Sequence, residues 1–153
     1  MKPKLLVSAC LLGTPCRYDG KSKKNEAVCA LAERFELIPV CPEVLGGLPT
    51  PRTPSERRGA CVVRKDGRDV TAEYRRGAEC ALETAQREGV LAAVLKERSP
   101  SCGSGEIYDG TFTGALTAGD GVTAELLKSN GITVYGEGEQ SLTEFLCSVS
   151  HST

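Results

Sequence analysis

Val90-Leu91-Ala92-Ala93-Val94-Leu95 is the most apolar run in the chain, and its setting decides how the rest is read. It is too short for a buried helix and lacks the alternation of a half-exposed strand, so it predicts a strand covered on both faces. Before it, residues 72–88 carry a helical pattern closed by Gly89. After it come a glycine-rich loop over 99–114, a helical pattern over 121–130 closed by Gly131, and an apolar run over 132–135. Glycine just past a helical stretch is a common stop, because it adopts the left-handed conformation without a Cβ penalty. Strand, helix, strand in that order indicates a parallel crossover.

Working toward the N-terminus, Leu5-Leu6-Val7-Ser8 and Glu36-Leu37-Ile38-Pro39-Val40 read as two more strands. Between them lies a helix from about Asn25 to Arg34, with Asn25 as its cap and Val28, Leu31, Ala32 and Phe35 on one face. Residues 41–58 are dense in proline and glycine and read as an irregular loop, of a length that usually serves function. Residues 61–71 read as a hairpin turned at Asp66-Gly67, and 141–148 as a terminal helix. The expectation is an α/β chain, a single-domain Rossmann-like three-layer fold with a mainly parallel sheet and a small β-hairpin. One domain spans 1–153, with a core over about 4–136 and a C-terminal tail over 137–153.

Composition narrows the chemistry. The 153 residues are 40% hydrophobic and 25% charged, with a net charge of -1. A domain of this size buries roughly 68–70% of its unfolded surface, so it does not depend on disulfides to fold. The balanced charge lacks the basic stripe that nucleic acid requires, and three Phe, four Tyr and no Trp leave little for base stacking. No run approaches the roughly 18 apolar residues of a membrane span. Val7-Ser8-Ala9-Cys10 imitates a lipoprotein cleavage site, but only Leu5, Leu6 and Val7 precede it where a signal peptide needs about 7–15 apolar residues. The expected compartment is the cytoplasm. The single histidine, His151, is third from the C-terminal end, which removes histidine triads and HExxH zinc sites.

Eight cysteines remain to be explained. The closest two in sequence are 6 residues apart, so no CxxC zinc ribbon, thioredoxin motif or ferredoxin run exists. Position is more informative than spacing. Cys10, Cys41 and Cys102 each follow a predicted parallel strand, and such strand ends share the edge where α/β folds bind ligands. Three thiols without a histidine suit an iron–sulfur cluster, a zinc ion with a fourth ligand, or a redox group of thiols. Cys16 is near enough to complete a closed four-thiol site. Cys29, Cys61, Cys80 and Cys147 read as small apolar filler.

Neighbouring residues add to the picture. Glu43, two after Cys41, is a candidate for handling protons. The segment Ser99 to Gly105 can turn backbone N–H groups toward an anion or a cluster sulfur. Asp19-Gly20 and Asp109-Gly110 read as turns, and Arg52, Arg57 and Arg58 read as a solvated loop face, with contact to an anionic substrate as the alternative.

Four segments, SACLLGTPCRYDG (8–20), CPEVLGGLPTPRTPSE (41–56), KERSPSCGSGEIYDGTFTG (96–114) and GVTAELLKSNGI (121–132), together resemble the domain of unknown function 523 family, whose characterised members are thiouracil desulfidases. The likeness runs in order from about Leu5 to Val134. It implies a 4Fe–4S cluster held by Cys10, Cys41 and Cys102, with Glu43 and Ser101 at the positions of the catalytic carboxylate and hydroxyl. The family pattern does not demand a cysteine at Cys16. The implied reaction is non-redox: iron polarises the thiocarbonyl of a small thiolated nucleobase such as 2-thiouracil, or a related thioamide, and water replaces sulfur. The competing readings are a non-enzymatic zinc or iron–sulfur protein and a thiol redox sensor.

Overall fold

The computed structural model describes residues 2–150; His151 lies outside them. Four parallel strands form the central sheet in the order β2-β1-β5-β8: β1 is Lys4–Ser8, β2 Glu36–Val40, β5 Ala92–Val94 and β8 Val134–Tyr135. Register sets Leu5 beside Ala92, Leu6 beside Ala93 and Val7 beside Val94. Because side chains alternate across a strand, Leu5, Val7, Ala92 and Val94 share one face while Leu6 and Ala93 share the other. Both faces are covered, as the apolar run predicted. The first is packed by α1 (Glu26–Cys29) through Val28 and by α5 (Glu139–Ser150) through Leu142 and Phe145. The second is packed by α3 (Thr71–Glu88) through Ala85 and by α4 (Val122–Ser129) through Ala124 and Leu127. This is the expected three-layer arrangement.

Several elements differ from the sequence reading. The helix expected to reach Arg34 is one α turn, capped by Asn25 Oδ1 accepting from Val28 N at 3.0 Å, and continues as a 3-10 turn over Ala30–Glu33. Tightening the helix rotates Ala32 to solvent and keeps Leu31 and Phe35 inside. Val90 to Leu95 contributes only three strand residues, and Leu91 is exposed. Residues 41–58 are not irregular throughout, since they contain α2 (Pro42–Leu45) and β3 (Ser55–Arg58).

The hairpin is displaced too. β3 pairs with β4 (Cys61–Arg64), and beyond the Asp66-Gly67 turn only the bridge Val63 to Asp69 forms. Within 99–114 lies β6 (Glu106–Tyr108), paired with β7 (Leu116–Ala118). β3 carries no apolar residue, and its partner β4 buries Val62 against Val70 and Tyr74 in a small cluster apart from the two faces of the sheet. At the C-terminal end, Phe145 stacks at tilted angles on Phe35 and Tyr135, with centroids 5.3 and 5.1 Å away, so 139–150 is a working part of the core.

One contact positions the site. Gly46, closing α2, and Gly77, inside α3, let the two backbones touch. A methyl group at Gly46 would run into the carbonyl of Glu73, and one at Gly77 into the carbonyl of Pro42. Backbone cannot swing aside as a side chain can, so Gly77→Ala is expected to cost about 2 kcal/mol and to lower the melting temperature by about 4–8 °C. An unchanged melting temperature in calorimetry would show that α2 does not rest on α3.

A candidate thiol-lined active site

The carboxyl ends of β1, β2 and β5 open into one cavity of about 600 Å³, within the usual range for small-molecule sites. A 3-10 turn, Ala9–Leu12, follows β1 and carries Cys10; Cys41 is the residue between β2 and α2; Cys102 lies in the loop after β5. All three line the cavity, and so does Cys16. All eight cysteines are unpaired.

The thiols interact. Cys41 Sγ donates to Cys16 O at 3.8 Å, and the neighbouring Cys10 thiol is the main reason the Cys16 thiol is pushed up. Cys41 is pushed well above the ordinary thiol range, first by its bond to Cys16 and then by burial. Burial pushes Cys102 up to about 12, against hydrogen bonds from Ser8 and Ser101. Left alone these groups are neutral thiols, and a metal must displace their protons to bind.

Among the described residues no three of His, Cys, Asp and Glu gather as tightly as one metal ion requires. The thiols instead line a space. Four sulfur donors without imidazole suit iron–sulfur chemistry, and a multi-iron cluster spreads its ligands wider than a single ion. The donor set therefore fits the cluster that the resemblance implies.

Glu43 is on α2, at the cavity wall. Its Oε2 accepts from Arg52 Nε at 3.0 Å, Arg52 Nη2 at 2.9 Å and Tyr74 Oη at 3.0 Å. All three bonds fall on one oxygen, leaving Oε1 out of the network. Tyr74, from α3, is 2% exposed, and burial followed by the Glu43 charge pushes its hydroxyl above the ordinary phenol range, so it stays a neutral donor. Arg52 was expected on a solvated face, yet its side chain is only 7% exposed. It also donates to Cys16 O, Pro49 O and Thr50 Oγ1. Arg57 is similarly buried, bonded to Asp120 O and Glu125, and Arg58 donates to Gly110 O.

Ser101 does not reach the cavity wall. It is fully buried behind Cys102, with Oγ 2.8 Å from Thr123 Oγ1 and 3.8 Å from Cys102 Sγ. Ser8 lines the cavity instead, its Oγ accepting from Lys96 N at 2.9 Å. The backbone N–H groups of Ser101 and Cys102, expected to face an anion, both point at Ser99 Oγ. Asp19 and Asp109 are the turn residues expected, accepting from Lys21 N and Thr111 N. Cys29 and Cys80 are partly buried, but Cys61 and Cys147 are exposed and fill no core. Sequence reasoning missed Tyr74, because a helical tyrosine 31 residues from Glu43 carries no motif.

The model of the 2-thiouracil desulfurase family matches residues 5–139. The chain belongs to that family. Among relatives of this desulfurase-family chain, protein YbbK of Bacillus subtilis (strain 168) is 44% identical over 145 residues, spanning 88% of this chain and 96% of YbbK. The solved structure of the [4Fe-4S]-dependent thiouracil desulfidase TudS superposes with a TM-score of 0.90 at 51% identity, covering 97% of this chain and 99% of TudS. Identity at that level extends the likeness beyond the fold.

Two substitutions separate the parts of the Glu43 clamp. Tyr74→Phe removes one donor from an oxygen that keeps two others, and is expected to cost about 1 kcal/mol. Arg52→Ala leaves a mostly buried carboxylate unpaired and is expected to cost about 3–5 kcal/mol. Equal losses in urea denaturation would show that Arg52 does not hold the clamp.

Proposed function

We propose that this family member catalyses cluster-dependent, non-redox desulfuration of a thiolated pyrimidine base such as 2-thiouracil, returning the carbonyl compound and sulfide. The observation that carries the reading is a single cavity lined by Cys10, Cys41 and Cys102 with the clamped Glu43 on its wall. Likeness to TudS across nearly the whole chain supports the same cofactor, a 4Fe–4S cluster.

In this reading Cys10, Cys41 and Cys102 hold the cluster, whose chemistry when bound is that of a Lewis-acidic iron toward sulfur. The chain's own groups do the rest. The reaction exchanges C=S and water for C=O and hydrogen sulfide, so both protons of the water must pass to sulfur. Glu43 is the proton carrier, acting through Oε1 while Arg52 and Tyr74 hold Oε2. Those bonds fix the carboxylate plane and so the direction in which the free oxygen acts. Ser101 serves by positioning Cys102 through the contact between their side chains. Cys16 lies between Cys10 and Cys41 and is not required as a ligand. Among the described residues no helix is long and apolar enough to cross a membrane. Eight unpaired cysteines support a reducing compartment such as the cytoplasm.

The test begins with anaerobic reconstitution by iron and sulfide, followed by assay of sulfide release from 2-thiouracil. Cys10→Ser, Cys41→Ser and Cys102→Ser are each expected to lose the visible absorption of the cluster and all turnover. Glu43→Gln is expected to keep iron and acid-labile sulfide while slowing turnover by about 10²–10⁴-fold. Full loading in the three cysteine variants refutes the ligand assignment, and a Glu43→Gln enzyme of normal rate refutes the proton role.

A further inference from the structure

Seven aromatic residues are present, and they divide sharply. Phe35, Tyr135 and Phe145 form the stack under α5. The other four, Tyr18, Tyr74, Tyr108 and Phe112, all line the thiol cavity. Tyr74 is accounted for by its bond to Glu43. Tyr18, Tyr108 and Phe112 belong to none of the three hydrophobic core clusters, so packing does not explain them.

Phe112 stands apart from the other two. Its φ is +57°, a left-handed conformation that costs a bulky residue about 1–3 kcal/mol and persists only where surrounding structure imposes it. Arg98, with φ +66°, is the only other described non-glycine residue in that state, and it lines the same cavity. The imposing group at Phe112 is Glu56 on β3, whose Oε1 accepts from Gly110 N at 2.9 Å and from Phe112 N at 3.1 Å. Arg58, next but one on that strand, donates to Gly110 O at 2.7 Å and sets its guanidinium 6.0 Å from the Phe112 ring centroid. The β3–β4 hairpin thus straps down a loop for the sake of one half-buried ring. Phenylalanine has no polar handle, so what it offers the cavity is an apolar π face.

We propose that Phe112 is the stacking platform for the planar heterocycle of the substrate, held in place by Glu56 and Arg58 as positioning residues. This rests on the desulfidase reading and adds the ring-recognition element to it. Stacking acts on ring binding and is present before and after sulfur leaves, so its loss falls on KM rather than kcat. The product base must feel it equally.

The test uses cluster-loaded wild type, Phe112→Leu, Phe112→Tyr and Glu56→Gln, matched for iron content and melting temperature. Kinetics with 2-thiouracil are paired with calorimetric titration of uracil, which involves no turnover. Phe112→Leu is expected to raise KM and weaken uracil binding about tenfold, with kcat within about twofold. Phe112→Tyr is expected to restore both, and Glu56→Gln, which keeps the ring but loosens its anchor, to shift both in the same direction by less. Equal KM and uracil affinity in Phe112→Leu and wild type overturn the stacking role while sulfide release leaves the desulfidase reading standing. A wild type that binds no uracil overturns it as well. Uracil binding that depends on Phe112, without sulfide release from any thiopyrimidine, supports the platform and overturns the desulfidase reading.

Discussion

The guanidinium of Arg52 is the interaction on which the organisation of the site depends. Taking a guanidinium out of water is unfavourable unless nearly every N–H finds an acceptor. Here Nε and Nη2 share Glu43 Oε2, Nη2 also reaches Cys16 O, and Nη1 reaches Pro49 O and Thr50 Oγ1. Those acceptors come from the loop after β1, from α2 after β2, and from the connection leading to β3. One buried cation therefore ties three separately folded segments together, and the tie couples the loop carrying Cys16 to the carboxylate. A charge of this kind contributes little net stability compared with an apolar filler, but it accepts few alternative arrangements.

The second constraint comes from the opposite side of Glu43. Tyr74 reaches Oε2 only because α2 and α3 meet backbone to backbone at Gly46 and Gly77. Small residues at that crossing trade away local packing for proximity. Ala78, Ala81 and Ala85 continue the small-residue face of α3 toward the sheet, so the helix that supplies Tyr74 also lies flat on the core. The site is thus referenced to the rigid layer beneath it through a chain of hard contacts rather than through loop conformation alone.

Legibility in the sequence followed the same division. Where an element is buried on both faces, as Ala92 to Leu95 is, the apolar run and flanking glycines identified it. Strand ends then followed, and with them the meeting of Cys10, Cys41 and Cys102 at one cavity. What did not show were features whose cause lies across the chain. β3, with Ser55, Glu56, Arg57 and Arg58, has no apolar alternation because its side chains bond loops instead of packing a core. Arg52 looked like a solvated loop charge because its acceptors, Glu43 Oε2, Thr50 Oγ1 and the carbonyls of Cys16 and Pro49, come from three segments whose meeting composition cannot locate. The aromatic count argued against stacking on nucleic acid, but a count cannot reveal that four of seven rings line one cavity. Ser101 and Ser8 both flank the thiols, and only the fold shows that Ser8 is the one on the wall.

The absence of histidine from residues 2–150 acquires a physical sense beside the clamp. A cavity that gathers thiolates for iron must keep other donors from competing for it, and imidazole is the commonest protein competitor. Carboxylate oxygen is the next. Glu43 lies two residues from Cys41, close enough to intrude, yet one of its oxygens is occupied by three donors on two side chains. The same bonds that aim Oε1 also withhold Oε2 from metal. In this arrangement sulfur ligates, one carboxylate oxygen moves protons, and Arg52 keeps the two functions apart. A lysine at position 52 would preserve the charge but not the fork, and it would have to choose among acceptors that arginine satisfies together.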